Sequence, residues 1–369
     1  MISWRRTTAV RCAATSSKSS AGDALLTFYN EHHGQHRVQT RVSFDQPERV
    51  ALVLKELQRR GLGDIVTPHR APPVSLERIH TPRYLHFLRS AWSEWLALDP
   101  ANTEKDARAL NWPVRGLRSD IEPDSIQGCL GLYSTDATAL TAGTWNAART
   151  GADCAINAAH ALRLGQRGSF ALTRPPGHHA GADYFGGGCF LNNAALAAQH
   201  LLDDGLQRVA ILDIDYHHGS GTQAIFYNRS DVLTVSLHAD PRTDFPYYLG
   251  HADETGAGEG SGYNMNLALA RGSSAAQWLA ALETACLKLG MFAPEALVVA
   301  LGVGARGDEA EAGAKAEFTL NGADYLRIGE RIAWLGLPTA FVFEGGPAHA
   351  ELGIHTVNVL EGFETAAYL

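Results

Sequence analysis

The stretch VAILDIDYHHGSGTQAIFY, residues 209–227, sets two aspartates and two adjacent histidines directly after a run of apolar residues. An apolar run of this length is typical of a buried parallel strand, whose two faces are both covered by helices. Asp215 and His217 are two residues apart at the end of that strand, so both side chains can face one point. A carboxylate and an imidazole in this arrangement suit a cation such as zinc.

A second histidine pair lies upstream, in RPPGHHAGADYFGGGCFLNN, residues 174–193. His178 and His179 are suited to act as general base and general acid on a metal-bound water. Asp213 is placed to accept the ring N–H of one histidine and raise its basicity. For one pair alone, aspartates that cap the next helix and histidines that pack in glycine-rich turns would be the simpler interpretation. Two pairs beside carboxylates favour a metal-assisted hydrolase.

The remaining apolar runs predict further strands of the same sheet. They cover residues 169–173, 232–238, 296–302 and 339–344, and helical patterns alternate with the strands at 47–60, 81–98, 144–164, 190–203, 275–290, 322–335 and 351–366. This order predicts an α/β fold, with a mostly parallel sheet and helices on both faces. Sites in such sheets form beyond the carboxyl ends of the strands, so we expect the loops after these five strands to converge on one crevice. The long stretches 99–126 and 239–263 are expected to be functional surface loops.

The length and composition limit the class of protein. The chain has 369 residues, of which 45% are hydrophobic and 19% charged, and it shows no internal repeat or linker. We therefore expect residues 23–369 to form a single domain. No apolar run approaches the roughly 18 residues that a membrane span needs, and the net charge of −8 argues against a nucleic-acid-binding protein. The five cysteines form no CxxC pair, which predicts free thiols in a reducing setting: Cys12, Cys129, Cys154, Cys189 and Cys286.

The first 22 residues, MISWRRTTAVRCAATSSKSSAG, differ in composition from the rest of the chain. They contain Arg5, Arg6, Arg11 and Lys18, many small and hydroxylated residues, and no acid. This composition is typical of an organelle transit peptide, and VRCA at 10–13 looks like a plastid processing site. We expect a plastid protein, with the mitochondrion as second choice. The alternative is a disordered N-terminal tail on a cytoplasmic protein.

These motifs resemble those of the zinc-dependent deacetylases, the superfamily of histone deacetylases and acetylpolyamine amidohydrolases. The likeness is greatest to the acetylpolyamine amidohydrolases and extends from about Leu25 to Phe363. It implies an arginase-like α/β fold and hydrolysis of an N-acetyl amide on a lysine or a polyamine. The motifs that carry it, besides residues 209–227, are RPPGHHA (174–180), FLNNAA (190–195), FPYYLGHADETG (245–256), FTLNGADYLRIGERIAWLGLPT (318–339) and VNVLEGFE (357–364).

The resemblance also implies roles for particular residues. Asp215 and His217 would be two of three zinc ligands, and His178 and His179 would be the histidine dyad, with Asp213 behind it. A structural potassium ion would be held by backbone carbonyls and side-chain oxygens. The carbonyls lie near Asp213, Asp215, His217 and Leu237, and the side-chain oxygens belong to Asp213 and Ser236.

The chain departs from the family pattern at four positions. The second zinc aspartate belongs to an LGVD pattern in the family, whereas this chain has LGVG with Gly304. The catalytic tyrosine belongs to an EGGY pattern, whereas this chain has EGGP with Pro347. Gly188 stands in place of an aromatic residue that flanks the substrate tunnel, and Ser220 in place of the Asn or Asp that supports the second histidine. A metal ligand, an oxyanion donor and a tunnel wall are therefore missing together.

Two functions remain open on this sequence. In the first, the protein has lost zinc-dependent hydrolysis and has a binding or structural role; we expect potassium and do not expect tight zinc. In the second, it is a working metal-dependent amidohydrolase that deacetylates a small acetylated amine or acetyl-lysine through a rebuilt site. A replacement ligand would come from Asp308, Glu309 or Glu311, and His349 would approach the place of the tyrosine. The joint losses favour the first hypothesis, and a nucleic-acid-binding structural protein is a weaker third.

The sequence also suggests how the protein associates. Residues 99–126 overlap RGLRSDIEPDSIQG (115–128), which resembles a loop that builds a dimer contact in the nearest relatives. The resemblance implies a homodimer through 99–126. If the chain is a subunit of a larger protein assembly, the same surface would contact another protein.

Overall fold

Eight strands form one sheet in the computed structural model, which describes residues 24–39, 45–114, 118–304 and 318–367. The order across the sheet is β2-β1-β3-β8-β7-β4-β5-β6, and every described pair of neighbours is parallel. The predicted α/β fold with a parallel sheet is therefore confirmed. The strands are β1 (Leu26–Tyr29), β2 (Asp64–Val66), β3 (Gly168–Leu172), β4 (Val209–Asp213), β5 (Val232–Ala239), β6 (Asn264–Leu269), β7 (Ala296–Leu301) and β8 (Thr339–Phe343).

Helices cover both faces of this sheet. Short 3₁₀ turns at His33–Gln35, Pro100–Glu104 and Gly258–Gly260 interrupt the long connections. The α-helices in the described ranges are α1 (Glu48–Arg60), α2 (Pro73–Glu77), α3 (Pro82–Leu98), α4 (Ile126–Leu132), α5 (Thr144–Arg163), α6 (Asn193–Asp203), α7 (Ser220–Phe226), α8 (Ala275–Phe292), α9 (Gly322–Ala333) and α10 (Glu351–Ala367).

The central strand β4 shows why its sequence is a continuous apolar run. Val209 and Ile211 belong to the apolar core under α3, α5 and α6, on one face of the sheet. Ala210 and Leu212 belong to the core on the other face, under α1, α8, α9 and α10. Successive side chains of a strand point to opposite faces, so a strand that is covered on both sides must be apolar at every position. Polar residues begin at Asp213, where the strand reaches the carboxyl edge of the sheet.

The predicted strands and helices agree with the structure to within about three residues at each end, and the elements that the sequence did not reveal are short or partly exposed. β1 and β2 have four and three residues, and β6 is only half-buried, so none produces a clear apolar period. Helices α2, α4 and α7 have five, seven and seven residues, which is too short for a helical period to stand out.

Three other predictions concern the whole chain. No helix in the described ranges is long and apolar enough to cross a membrane. Cys129, Cys154, Cys189 and Cys286 are buried free thiols, as expected. Residues 1–22, with Cys12, lie outside the described residues, so the transit peptide stays a prediction.

The contact between α9 and α10 depends on a glycine. A Cβ atom at Gly329 would lie 2.0 Å from the carbonyl oxygen of Val359 and 2.7 Å from the amide nitrogen of Phe363, both on α10. Only a residue without a side chain allows the two backbones to approach so closely. A Cβ at Gly290 in α8 would meet nothing within 4 Å, so that glycine has no such role.

We predict that Gly329→Ala lowers the free energy of unfolding by about 1–3 kcal/mol, because α10 must shift to make room. The matched variant Gly290→Ala should raise it by about 0.5–1 kcal/mol, since alanine loses less backbone entropy in a helix. Denaturant unfolding of both variants, followed by circular dichroism, measures the two changes. Equal effects of the two substitutions would contradict the close-packing argument.

Candidate active site

A cavity of about 630 Å³ opens at the carboxyl edge of the sheet. The loops after β3, β4, β5, β7 and β8 all contribute to its lining, which agrees with the expected convergence of five loops. The lining residues from these loops are Pro176, His178, His179, Gly187, Gly188, Asp215, Tyr216, His217, Phe245, Gly304, Gly345, Gly346 and Pro347. His238, at the end of β5, is buried against Ser236 and the carbonyl of Gly250 and is not among them.

The two histidines of the first pair lie side by side with different partners. Their ring centroids are 4.0 Å apart. His178 Nδ1 is 3.0 Å from Asp213 Oδ2, whereas His179 Nδ1 is 3.2 Å from the Ser220 hydroxyl. One imidazole is therefore paired with a charge and the other with a neutral group.

These partners separate the pKa values of the dyad. Burial acts to lower the pKa of His178, but the carboxylates of Asp213 and Asp215 outweigh it and raise the pKa to about 10. Burial lowers the pKa of His179 well below its usual value, and the charges of His178 and His217 add to that effect. The dyad can therefore present a proton donor beside a neutral acceptor, the combination that general acid–base chemistry needs.

Asp215 lies at the centre of the site, held by backbone groups. Its Oδ1 accepts the amide N–H of His217 at 2.9 Å, and its Oδ2 accepts that of Gly345 at 2.7 Å. Burial acts to raise the pKa of Asp215, but the charge of His178 and the hydrogen bonds from His217 lower it below the usual range. The side chain of His217 faces the cavity, with Nδ1 3.6 Å from Asp215 Oδ1.

Two glycines make room for the Asp215 carboxylate. A Cβ atom at Gly302 would lie 1.8 Å from Asp215 Oδ2, and one at Gly345 would lie 2.3 Å from the same oxygen. Any side chain at either position would therefore displace the carboxylate. This explains why the strands β7 and β8 are both followed directly by glycine-containing turns.

Glu344 is a buried acid of the site to which the sequence assigned no role. It directly follows β8, and its Oε2 accepts the amide N–H groups of Gly177 and His178 at 2.6 and 3.2 Å. Its Oε1 is buried with no hydrogen-bond partner among the described residues. Burial raises the pKa of Glu344 to about 7, against the opposing charge of His178. The signal in the sequence was an acid at a strand end directly before two glycines.

Arg49 and Asp45 were also missed, since they come from the N-terminal part of the chain. Arg49 is buried, bonds the carbonyl groups of Glu344 and Gly346, and pairs with Asp45 at 2.8 Å. The guanidinium thereby fixes the turn that carries Pro347. Lone charged residues near the start of α1 gave no motif from which this contact could be foreseen.

Comparison with known proteins agrees with this geometry. Residues 43–362 match the family model described as "Histone deacetylase domain". The chain is 48% identical over 348 residues to acetylpolyamine amidohydrolase 2 of Pseudomonas aeruginosa, covering 92% of this chain and 99% of that protein. It is 43% identical to the acetylpolyamine amidohydrolase of Mycoplana ramosa, over 86% and 92% of the two chains.

A solved structure supports the same relationship. The crystal structure of an acetylpolyamine aminohydrolase from Burkholderia pseudomallei superposes with a TM-score of 0.85 at 35% identity, covering 93% of this chain and 99% of that one. The chain belongs to the histone deacetylase and acetylpolyamine amidohydrolase superfamily. The resemblance and the arginase/deacetylase-like fold that the motifs predicted are confirmed.

Three of the four positions that depart from the deacetylase pattern line the cavity. Gly304 and Pro347 line it together with Asp215 and His217. Gly188 also lines it, with φ +77° and nothing within 4 Å of a Cβ atom there. An aromatic side chain at Gly188 would have room but would strain the backbone. Ser220 still contacts His179, so the fourth substitution keeps a polar partner for the dyad.

The described residues supply only two of the three side-chain ligands that hold zinc in the family. Asp215 and His217 offer a carboxylate oxygen and a ring nitrogen, but Gly304 offers no side chain. Catalytic zinc usually has three protein ligands, so this pair does not fit the family's ion. His349 Nδ1 accepts the amide N–H of Glu351, its ring faces His355, and it is not a lining residue. Asp308, Glu309 and Glu311 lie outside the described residues, so a replacement carboxylate stays a prediction.

The potassium position has a fitting set of oxygen donors. Asp213 and Ser236 are paired in register between β4 and β5, and both are buried. Asp213 Oδ1 accepts the amide N–H of Asp215 at 3.0 Å, and the Ser236 hydroxyl is 2.8 Å from His238 Nδ1. Leu237 and His217 supply only backbone carbonyls in this scheme. Oxygen donors suit a hard cation, and the site stays a prediction.

We predict that Gly304→Asp raises the zinc affinity of the cavity more than it raises turnover. A third anionic ligand would join Asp215 and His217, whereas Pro347 still gives no donor to an oxyanion. We define cavity zinc as the bound zinc that is lost when His217 is replaced by alanine. In the wild type its stoichiometry should be well below one zinc ion per chain. Zinc titrations of wild type and Gly304→Asp, each with and without His217→Ala, provide the measurement. Equal zinc affinity of the cavity in the wild type and in Gly304→Asp would mean that residue 304 does not face the metal position.

Proposed function

We propose that this member of the superfamily binds a small acylated amine in the cavity without hydrolysing it. The observation that carries the proposal is that Gly304 and Pro347 line the same cavity as Asp215 and His217. The two substitutions therefore act on one reaction centre, at the places of a metal ligand and of the oxyanion donor. Neither can be assigned to a distant, neutral part of the surface.

The losses are large in energetic terms. Removing one oxyanion donor typically costs a factor of about 10²–10³ in rate. Proline has no hydroxyl and no backbone N–H, so Pro347 offers no replacement donor. Losing a carboxylate ligand also removes one negative charge that would face a dication. The combination supports a chain that keeps the site but not its catalysis.

Other features support retained binding. The cavity volume of about 630 Å³ lies within the usual range for small-ligand sites. The lining carries the carboxylates of Asp45, Asp136 and Asp215 and the guanidinium groups of Arg49 and Arg108. Phe245 supplies an apolar wall 5.0 Å from the His179 ring. An amine with an apolar segment could pair with the Asp136 carboxylate and pack against Phe245. The relatives named acetylpolyamine amidohydrolases support the same chemical class.

The second candidate is a working metal-dependent amidohydrolase with a rebuilt site, acting on a small acetylated amine or acetyl-lysine. The intact dyad favours it, because His178 and His179 keep both their mutual contact and their separate partners. Assays of binding and turnover on the same protein separate the two candidates.

We predict no measurable deacetylation of acetylpolyamines or acetyl-lysine peptides by the wild type, with or without added zinc. The double variant Gly304→Asp, Pro347→Tyr should gain measurable turnover, because it restores both a ligand and an oxyanion donor.

Calorimetry should show binding of an acetylated polyamine to the wild type. Phe245→Ala should weaken that binding about tenfold, equal to about 1.4 kcal/mol, whereas Tyr248→Ala on the exposed part of the same loop should not. Wild-type turnover that disappears in His178→Ala would overturn the proposal.

We further propose that the protein is a homodimer through residues 99–126, or presents that surface to another protein in a larger assembly. Large apolar side chains are concentrated there: Leu110, Trp112, Val114 and Ile121 are 85%, 43%, 67% and 62% exposed. Exposed apolar patches of this kind mark interaction sites. Residues 115–117 lie outside the described residues.

We predict that Leu110→Asp combined with Val114→Asp shifts the wild-type dimer to a monomer, because two charges would be buried in the contact. Met291→Asp, at an 84% exposed apolar position on α8, should leave the dimer intact. Sedimentation velocity of the three proteins gives the answer. If the wild type is monomeric at all concentrations, the homodimer is ruled out, and only the proposed contact with another protein remains.

The cellular location also remains a proposal. The acid-free, arginine- and serine-rich residues 1–22 support import into a plastid, with the mitochondrion as second choice. Retention of an uncleaved N-terminus in the cytoplasm is the alternative.

A further inference from the structure

Two histidines and an aspartate form a cluster far from the cavity. His160 is in the last turn of α5, His200 is in the last turn of α6, and Asp204 directly follows α6. Helices α5 and α6 lead into β3 and β4, so their carboxyl ends lie at the amino edge of the sheet. The cavity lies at the opposite, carboxyl edge. The cluster is therefore separate from every residue assigned to the deacetylase site.

The three candidate ligand atoms are almost equidistant. His160 Nδ1 is 3.4 Å from His200 Nε2 and 3.4 Å from Asp204 Oδ2, and His200 Nε2 is 3.5 Å from the same Asp204 oxygen. Zinc binds histidine nitrogen at about 2.0–2.1 Å and carboxylate oxygen at about 2.0–2.2 Å, in a tetrahedron. The edge of a tetrahedron is 1.63 times the bond length, which gives ligand–ligand distances of about 3.3–3.5 Å. All three measured distances fall in that interval.

The same distances are less favourable for direct hydrogen bonds. N–H···O bonds are usually about 2.7–3.2 Å long, and charge-assisted ones are shorter still. A His–Asp–His hydrogen-bonded cluster would therefore be expected to close up further than 3.4–3.5 Å. The three atom pairs are thus long hydrogen bonds or ion pairs, and their spacing also fits three ligands around one ion.

The surroundings leave room for a fourth ligand. The side chains of His160 and His200 are each 18% exposed and that of Asp204 is 33% exposed, so the cluster lies at the surface, within reach of water. Arg163 is the nearby cation, and it donates to the backbone carbonyl of Asp204 at 3.0 Å rather than to the carboxylate. Among the described residues, the only cationic partners of this carboxylate are thus the two histidines, which would be its fellow ligands.

We propose that His160, His200 and Asp204 form a surface site for a divalent transition metal of the zinc type, with water as the fourth ligand. Two imidazoles and one carboxylate are a donor set that such ions prefer over calcium or magnesium. The ion would join the ends of α5 and α6, two helices that pack side by side on one face of the sheet. It therefore stabilises the fold and takes no part in the chemistry of the cavity.

The test uses the full-length chain after removal of metal with a chelator. Titration with Zn²⁺ alone, followed by calorimetry, should show one site whose affinity falls at least about 10–100-fold in His200→Gln and in Asp204→Asn. His86→Gln, an exposed histidine on α3, and His217→Ala in the cavity should leave that affinity unchanged. Titration with Co²⁺ should give the intense visible absorption of a four-coordinate ion, and the same two cluster variants should abolish it.

Thermal unfolding supplies a second readout that does not depend on the cavity. Zinc should raise the Tm of the wild type and of His217→Ala, but not that of His200→Gln or Asp204→Asn, while all variants fold without metal. Zinc binding that survives both cluster variants, or that disappears only in His217→Ala, would overturn the proposal. Failure of the non-hydrolytic function of the cavity would change none of these results.

Discussion

The carboxylate of Asp215 is the point at which the central strands of the sheet meet. Asp215 lies in the turn after β4. Its carboxylate accepts hydrogen bonds from backbone N–H groups of that turn and of the turn after β8, and it packs against the backbone after β7. Gly302 and Gly345 lack the Cβ atoms that would occupy its place. Three chain segments far apart in sequence are therefore aligned by one buried charge, and the floor of the cavity follows from that alignment.

Because backbone groups hold Asp215, the position of its carboxylate does not depend on a bound metal ion. Arg49 fixes the turn after β8 in a similar way, because its guanidinium donates hydrogen bonds to the carbonyl groups of Glu344 and Gly346. Pro347 continues this fixed turn and requires no side-chain hydrogen bond of its own. Substitutions at 304 and 347 thus remove chemical groups from a framework that other residues maintain.

Sequence alone predicted the sheet and the converging loops because both depend on strong local signals. Val209–Asp213 is apolar because two cores cover it, and the histidines of both pairs lie in turns fixed by strand ends. The roles of Arg49 and Glu344 were not predicted because they arise from contacts between residues 295 and 167 positions apart in sequence, without a motif. The short strand β2 and the helix α7 escaped because a few residues cannot show a period. The short distance between His160 and His200 could not be predicted from sequence either, because it depends on how helices α5 and α6 pack together.

Gly304 also affects the charge balance of the cavity. His178, with its pKa raised to about 10, carries a positive charge among Asp213, Asp215 and Glu344, and burial keeps a proton on part of the Glu344 population near neutral pH. A further aspartate at 304 would add another buried negative charge beside Asp215. Without a metal ion such a charge costs several kcal/mol, because neither water nor a cation compensates it. Glycine at 304 avoids that cost, so a metal-free cavity would be more stable with glycine at this position than with aspartate. The same reasoning explains why the aspartates closest to His178 are retained: they stabilise a cation that the chain itself provides.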